Sequence, residues 1–309
     1  MKALRSLPLV EFARPHTIIG TTLAVFVVSG MAAAEMHKYS LATVLMIYLA
    51  ALAVNIYIVG LNQLTDVEID KINKPYLPLA AGSMSWNTAM AIVISSGLLA
   101  LLVAAAGGKY LLTTIGIIFV IGSFYSLPPM RFKRSPLLAA AAITLARAVV
   151  LNVGVYLTCK ATLGGDTHLP PHLLLFIGVM LGFVIVISLM KDIPDLDGDL
   201  QHEIATLVSR LGAEKTLALC HSILTACYLV AIGIAFLAPD VAVSRTVLVL
   251  AHGFAVVLLW ARARQVSAED KDAVYRHYMF IWKLFYFEFA VFAVACLGTS
   301  TGFRHGFGS

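Results

Sequence analysis

The stretch LATVLMIYLAALAVNIYIVGLNQLTDVEID, residues Leu41–Asp70, decides how the rest of the chain is read. Its first part, 41–61, is an apolar run as long as a bilayer-crossing helix, which needs about 17–25 residues. Its second part, Asn62-Gln63-Leu64-Thr65-Asp66-Val67-Glu68-Ile69-Asp70, is acidic. Asn62, Asp66 and Asp70 recur every four residues. At roughly 3.6 residues per turn they share one helix face, each about 6 Å from the next along the axis, and can line one metal site. Leu64, Val67 and Ile69 fill other faces, as expected if the stretch continues helix 2 at the mouth of a cavity.

Composition extends the membrane reading to the entire chain. Of 309 residues, 60% are hydrophobic and 13% charged, with a mean hydropathy of +0.89, far from the balance of a soluble domain. Nine spans are predicted, at 16–34, 41–61, 86–106, 110–127, 136–157, 172–191, 215–236, 243–261 and 278–298. They leave no room for a large soluble domain, so residues 1–309 are expected to form one all-α transmembrane domain. Counted through alternate connections, fifteen Lys and Arg residues, from Lys2, Arg5 and Arg14 to Arg276, fall on one side. Five fall on the other: Lys38, Lys109, Lys160, Arg245 and Arg304. Positive charge is retained near helix ends on the cytoplasmic side, which puts the N-terminus inside and the C-terminus outside. The net charge of +5 is then a topology signal, and nucleic-acid binding has no basic tail or surface to rest on. Cys159, Cys220, Cys227 and Cys296 have no metal or redox spacing and read as packing residues. No cleavable signal or transit segment precedes Phe12-Ala13-Arg14-Pro15, so the chain is expected to insert through its own first helix.

A second acidic stretch, Lys191-Asp192-Ile193-Pro194-Asp195-Leu196-Asp197-Gly198-Asp199, ends helix 6 on the side where the first one lies. Asp192, Asp195 and Asp199 follow helical spacing, while Pro194 weakens the backbone and Gly198 permits a turn. A calcium loop is excluded, because its sixth position would be Leu200 where a glycine is required. The acids follow helices 2 and 6, corresponding places in two similar halves facing one cavity. Carboxylates gathered at two membrane-helix ends are costly unless cations neutralise them. Mg²⁺ suits them, since it takes one or two carboxylates per ion and completes its octahedron with water and phosphate oxygens. A diphosphate bridging both sets would be clamped between the halves, its growing charge stabilised by metals and nearby cations.

Cations stand beside both motifs. Lys71, Lys74 and Lys191 flank the acids, and the inner loop Tyr125-Ser126-Leu127-Pro128-Pro129-Met130-Arg131-Phe132-Lys133-Arg134 adds three more, of which Arg131 and Lys133 are the expected diphosphate ligands. Arg147 falls well inside helix 5, where a charge is expensive unless it faces a cavity or partner. It is a candidate for diphosphate or for an acceptor carboxylate, with Asn152 five residues on and His16 at the start of helix 1 as further polar candidates. Phe280, Trp282, Phe285, Tyr286 and Phe287 make the last helix aromatic-dense, through interface anchoring or shielding of an allylic cation.

These residues resemble the intramembrane UbiA prenyltransferase superfamily, and within it the homogentisate prenyltransferases of the tocopherol and plastoquinone pathways. The resemblance runs from Phe12–Thr21 through Gly60–Asp70, Asn73–Ala80, Tyr125–Arg134 and Lys191–Asp199 to Phe280–Tyr286. It implies nine helices around a central cavity that opens laterally to lipid. It also assigns Asn62, Asp66 and Asp70 to a first Mg²⁺-diphosphate set and Asp195 and Asp199 to a second, with Asp192 as a neighbour and two ions bridged by the diphosphate. One departure is Leu200-Gln201-His202-Glu203, where the branch commonly has a basic residue after the last aspartate.

The expected activity is transfer of a phytyl or geranylgeranyl group from its diphosphate to homogentisate, with loss of CO₂, in a bacterial inner or thylakoid-type membrane. Catalysis falls to Asp66, Asp70, Asp195 and Asp199, and substrate binding to Asn62, Lys74, Tyr125, Arg131, Lys133, Arg147, Asn152, Lys191 and Asp192. Rival acceptors are 4-hydroxybenzoate, a naphthoate, a chlorophyllide and a glycerol-phosphate lipid. The rival from another class is a membrane carrier that binds the diphosphate without turnover.

Overall fold

The computed structural model describes residues 8–196, 206–238 and 243–300, with side chains to 296. Among them, nine helices are long and apolar enough to cross a membrane. They are α1 (Pro15–Met36), α2 (Leu41–Thr65), α3 (Trp86–Ala106), α4 (Lys109–Ser126), α5 (Pro136–Thr162), α6 (Pro171–Met190), α7 (Ala213–Leu237), α8 (Arg245–Ala263) and α9 (Lys271–Ser300). The chain is an integral membrane protein. Local chemistry marks the helix ends: Pro15, Pro136 and Pro171 open helices where their missing N–H costs nothing. Ser40 and Ser85 accept from the N–H of Thr43 and Thr88.

Packing sorts the helices by depth. In α6, 78% of the apolar stretch is buried, against 22% in α8, so α6 is the hub and α8 lies at the lipid rim. α6 packs on α5, α7 and α9, while α1 packs on α2, α5 and α9 and so links the first helices of the chain to the last. Apolar side chains that stay exposed, such as Leu98, Leu102, Leu250 and Phe254, face lipid, where exposure costs nothing. α4 and α5 approach so closely that a Cβ on Gly154 would stand 1.9 Å from Thr114 Oγ1. The end of the bundle opposite the acids is closed by Lys160, which bonds Glu35 at 2.8 Å and Asp166 at 2.7 Å.

Four expectations need correction. The last helix begins at Lys271 and not at 278; its first turns are too polar for a hydropathy window but lie on a helix that packing prolongs. α2 runs to Thr65 and then breaks at Asp66 (φ −122°, ψ 17°), so the first acidic motif is not one continuous helix. Asp66 caps α2 and starts a separate short helix, Val67–Asn73. Beyond Met190, residues 191–195 form turns in which the N–H of Asp192 and Ile193 bond the carbonyls of Leu189 and Met190, so Asp192 and Asp195 are displayed by a tightened turn and not by helical spacing. The predicted fifth span hides an irregularity: α5 is α-helical over Pro136–Thr144, π-helical over Leu145–Val150 and α-helical again over Leu151–Thr162.

Candidate active site

The break at Asp66 aims its carboxylate sideways. It accepts from Asn62 Nδ2 at 2.7 Å, from Lys133 Nζ, and lies 3.5 Å from Arg131. Lys133 also reaches Thr65 Oγ1 at 3.0 Å, and Arg131 donates to the Thr65 carbonyl at 3.4 Å. The loop after α4 can place both cations on one carboxylate because Arg131 adopts a left-handed backbone (φ 37°), followed by a single 3₁₀ turn over Phe132–Arg134. That conformation is uncommon for a residue with a Cβ and concentrates at functional sites. Arg134 points outward, as does Lys71, which pairs with Glu68 at the surface.

Asp70, one helical turn on, is buried. Its carboxyl is pushed up to about 6 by burial, against the pull of Arg14 and Lys74 and with added push from Asp66 and Asp195. Asp70 therefore feels both acidic motifs at once. The direct link between them is Lys74, which ends the first motif and donates to Asp195 of the second. Lys191 pairs with Asp192, and Tyr125, at the end of α4, lies against both. Burial works against the Lys191 ammonium, but the Asp192 carboxylate and Tyr125 hold it well above the ordinary range. Lys133, by contrast, is lowered: burial outweighs the attraction of Asp66.

Asn62, Asp66, Asp70, Lys74, Arg131, Lys133 and Asp195 are thus brought together at one end of the bundle, with Tyr125, Lys191 and Asp192 beside them. Asp199, and Asp197 with it, lie outside the described residues. Among the described residues no three Asp, Glu, His or Cys side chains close around a single point. The donors are carboxylate pairs and an amide oxygen, a hard, oxygen-only set that fits Mg²⁺ completed by phosphate oxygens.

Asn152 stands apart from this group. It is 1% exposed, and its amide donates to the main-chain carbonyls of Arg147 at 3.2 Å and Ala148 at 2.8 Å. Its nitrogen braces the π-helical turn, while its Oδ1 is buried without a hydrogen-bond partner among the described residues. Arg147 does face inward, half-buried, and donates to Asn55 Oδ1 at 3.2 Å.

Four residues outside the expected set belong to this region. Arg14 reaches Asn62 Oδ1 at 3.5 Å from a left-handed backbone (φ 51°) between the short helix Pro8–Phe12 and α1. Gln63 fixes that segment by donating to the Phe12 carbonyl at 2.7 Å. Asn55 binds Thr17 Oγ1 at 3.1 Å, and Tyr278 lies near Lys191, Arg14 and Asp195. For Asn55 a signal existed: it is an amide in the apolar middle of a membrane helix, seven residues and so two turns before Asn62 on the same face.

A family profile described as the UbiA prenyltransferase family matches residues 23–284, a stretch that holds both acidic motifs and the basic loop. The chain belongs to the UbiA prenyltransferase family. Among UbiA relatives, the chain is 41% identical over 294 residues to a homogentisate phytyltransferase of Synechocystis sp., covering 92% of this chain and 94% of that one. It is 39% identical over 287 residues to a homogentisate geranylgeranyltransferase of Triticum aestivum, covering 90% and 70%. Its fold matches a UbiA homolog from Archaeoglobus fulgidus bound to GPP and Mg²⁺, with a TM-score of 0.64 at 18% identity, covering 93% of this chain and all of that one. The chain is a UbiA-type membrane prenyltransferase.

Proposed function

We propose that this UbiA enzyme transfers a phytyl or geranylgeranyl group from its diphosphate to homogentisate, in the formation of tocopherol- or plastoquinone-type quinones. The observation that carries the reading is the convergence of two acidic motifs, 121 residues apart, through the Lys74–Asp195 pair, beside a basic loop already seated on Asp66. The two relatives named above act on homogentisate by their names, and they cover nearly this whole chain.

Bound Mg²⁺, two ions in this proposal, would neutralise the carboxylates and the charge that grows as the allylic C–O bond breaks. Asn62, Asp66 and Asp70 would hold one ion, and Asp195, Asp199 and Asp192 the other. Lys74, Arg131, Lys133 and Lys191, now paired with those acids, are within reach to pair with diphosphate oxygens instead, so the site exchanges one set of ion pairs for another without stranding a charge. The loops that bear the acids are proposed to face the cytoplasm or its thylakoid equivalent, with the N-terminus on that side.

The test is product mass after incubation of the protein in lipid nanodiscs with homogentisate, Mg²⁺ and either C20 diphosphate. The expected product is the prenylated, decarboxylated ring. Asp66→Ala and Asp195→Ala should each abolish Mg²⁺-dependent diphosphate release while the protein remains membrane-inserted. Diphosphate binding without turnover in the wild type would favour the carrier reading, and unchanged release in both variants would overturn the assigned site.

A further inference from the structure

We propose that Arg147, carried on the π-helical turn of α5 and aimed by Asn55, binds the carboxylate of an aromatic acid acceptor, in a subsite deeper in the bundle than the diphosphate clamp. This rests on the functional reading above and names the residue that would select the acceptor class.

The first ground is charge. Arg147 lies in the middle of a membrane-spanning helix, and no carboxylate among the described residues pairs with it; the groups that act on its charge are Tyr278, Tyr286 and Arg14. An arginine in such a place marks a ligand or partner by default. One of its five N–H donors is spent on Asn55, which leaves the planar fork that matches a carboxylate in two parallel bonds. π-turns are rare and recur at functional sites because the extra residue re-aims a side chain. Here Asn152 satisfies the carbonyls that the turn displaces.

The second ground is depth. Asn55 and Asn62 lie on one face of α2 seven residues apart, a rise of about 10 Å. The anion that Arg147 awaits is therefore about that far inside the level of Asn62, where Lys74, Arg131, Lys133 and Lys191 already supply the diphosphate with cations. The reacting ring must come within about 3–3.5 Å of the allylic carbon. It does so from the side away from the departing diphosphate, which is the side of Arg147. A single ring with a carboxyl substituent bridges these two levels.

The third ground is a wall for the ring. His16 packs edge-on to Trp282 at 5.0 Å, and Tyr286 donates to the His16 carbonyl at 2.7 Å. Gly20 allows this contact between α1 and α9, since a Cβ there would lie 3.3 Å from Phe285. The charge of Arg147 acts on both His16 and Tyr286, which puts the guanidinium on the side of this aromatic cluster.

The experiment separates acceptor from donor. In nanodiscs, the acceptor KM for homogentisate and the Kd for a non-reacting C20 thiolodiphosphate with Mg²⁺ are measured for wild type, Arg147→Ala, Arg147→Lys and Asn55→Asp. Arg147→Ala should raise the acceptor KM at least about tenfold, the worth of a charge-assisted carboxylate pair, and leave the donor Kd within about twofold. Arg147→Lys should recover part of the loss. Asn55→Asp keeps the arginine but occupies it with a carboxylate, and should reproduce the alanine phenotype even if Arg147→Ala folds poorly. A parallel rise in donor Kd would make Arg147 a diphosphate ligand and overturn the proposal, as would an unchanged acceptor KM in Asn55→Asp. If the wild type transfers to no aromatic acid, the functional reading fails. Direct calorimetric titration of homogentisate into wild type and Asn55→Asp then decides the subsite, and equal binding or none overturns it.

Discussion

Asp70 sets the pH behaviour of the site. Burial and two neighbouring carboxylates outweigh Arg14 and Lys74 and push its pKa up to about 6. The raised value means that the folded protein disfavours the charged form, so ionising Asp70 costs stability as pH rises from the ordinary carboxylate range through 6. A divalent ion reverses the sign, because it binds only the carboxylate and must displace the proton below that pKa. Mg²⁺-dependent binding of diphosphate should weaken by up to about tenfold per pH unit below 6 and be flat above 7. A titration series from pH 5 to 8 checks this, and an affinity constant across the range would remove Asp70 from the metal set. Asp66 and Asp70 were legible as site residues because the i, i+4 spacing survives the break between them: the Asp70 N–H still bonds the Asp66 carbonyl at 2.8 Å. Arg14 was not, since a cation beside a helix start reads equally well as a topology signal, and only its reach to Asn62 distinguishes the two.

At the scale of elements, the π-turn of α5 is the irregular feature that the site depends on. Apolar periodicity predicts a span over 136–157 but is blind to a change from i→i+4 to i→i+5 bonding, because composition does not alter. The structure supports the turn with one buried side chain, Asn152, whose amide closes on two carbonyls. Asn152→Leu keeps the volume and removes both donors. It should cost about 1–3 kcal/mol through unsatisfied carbonyls, read as a lower thermal midpoint in nanodiscs. Because the same carbonyls position Arg147, the variant should also raise the acceptor KM. A variant as stable as wild type would show that the turn needs no brace. Helix ends were legible wherever proline or serine marked them, and illegible at α9, whose polar first turns, Lys271-Asp272-Ala273-Val274-Tyr275-Arg276, hide a helix held by packing.

In the whole molecule, helices from the first and the last parts of the chain meet around the acidic end. α1 and α9 join them within the bundle, and Lys74–Asp195 joins them at the acidic end. A diphosphate with Mg²⁺ should strengthen that junction, whereas either alone lacks the charges to replace the ion pairs now present. Thermal unfolding in nanodiscs should therefore shift upward only when both are added, with a stabilisation of about 2.7 kcal/mol at a hundred times Kd. Asp195→Ala should lose the shift. An equal shift with Mg²⁺ alone would place the ion in a site complete without substrate.

The sequence alone determined a nine-span helical membrane protein, the two acidic motifs and the basic loop between them. Those features follow from composition and short-range spacing, which act along the chain. Only the tertiary structure decided that Lys74 meets Asp195, that Lys133 rests on Asp66, that Asn152 turns into its own backbone and that Arg147 faces inward beside Asn55. Each of those depends on which helix faces which, and that is settled by packing between residues far apart in the chain and leaves no local trace.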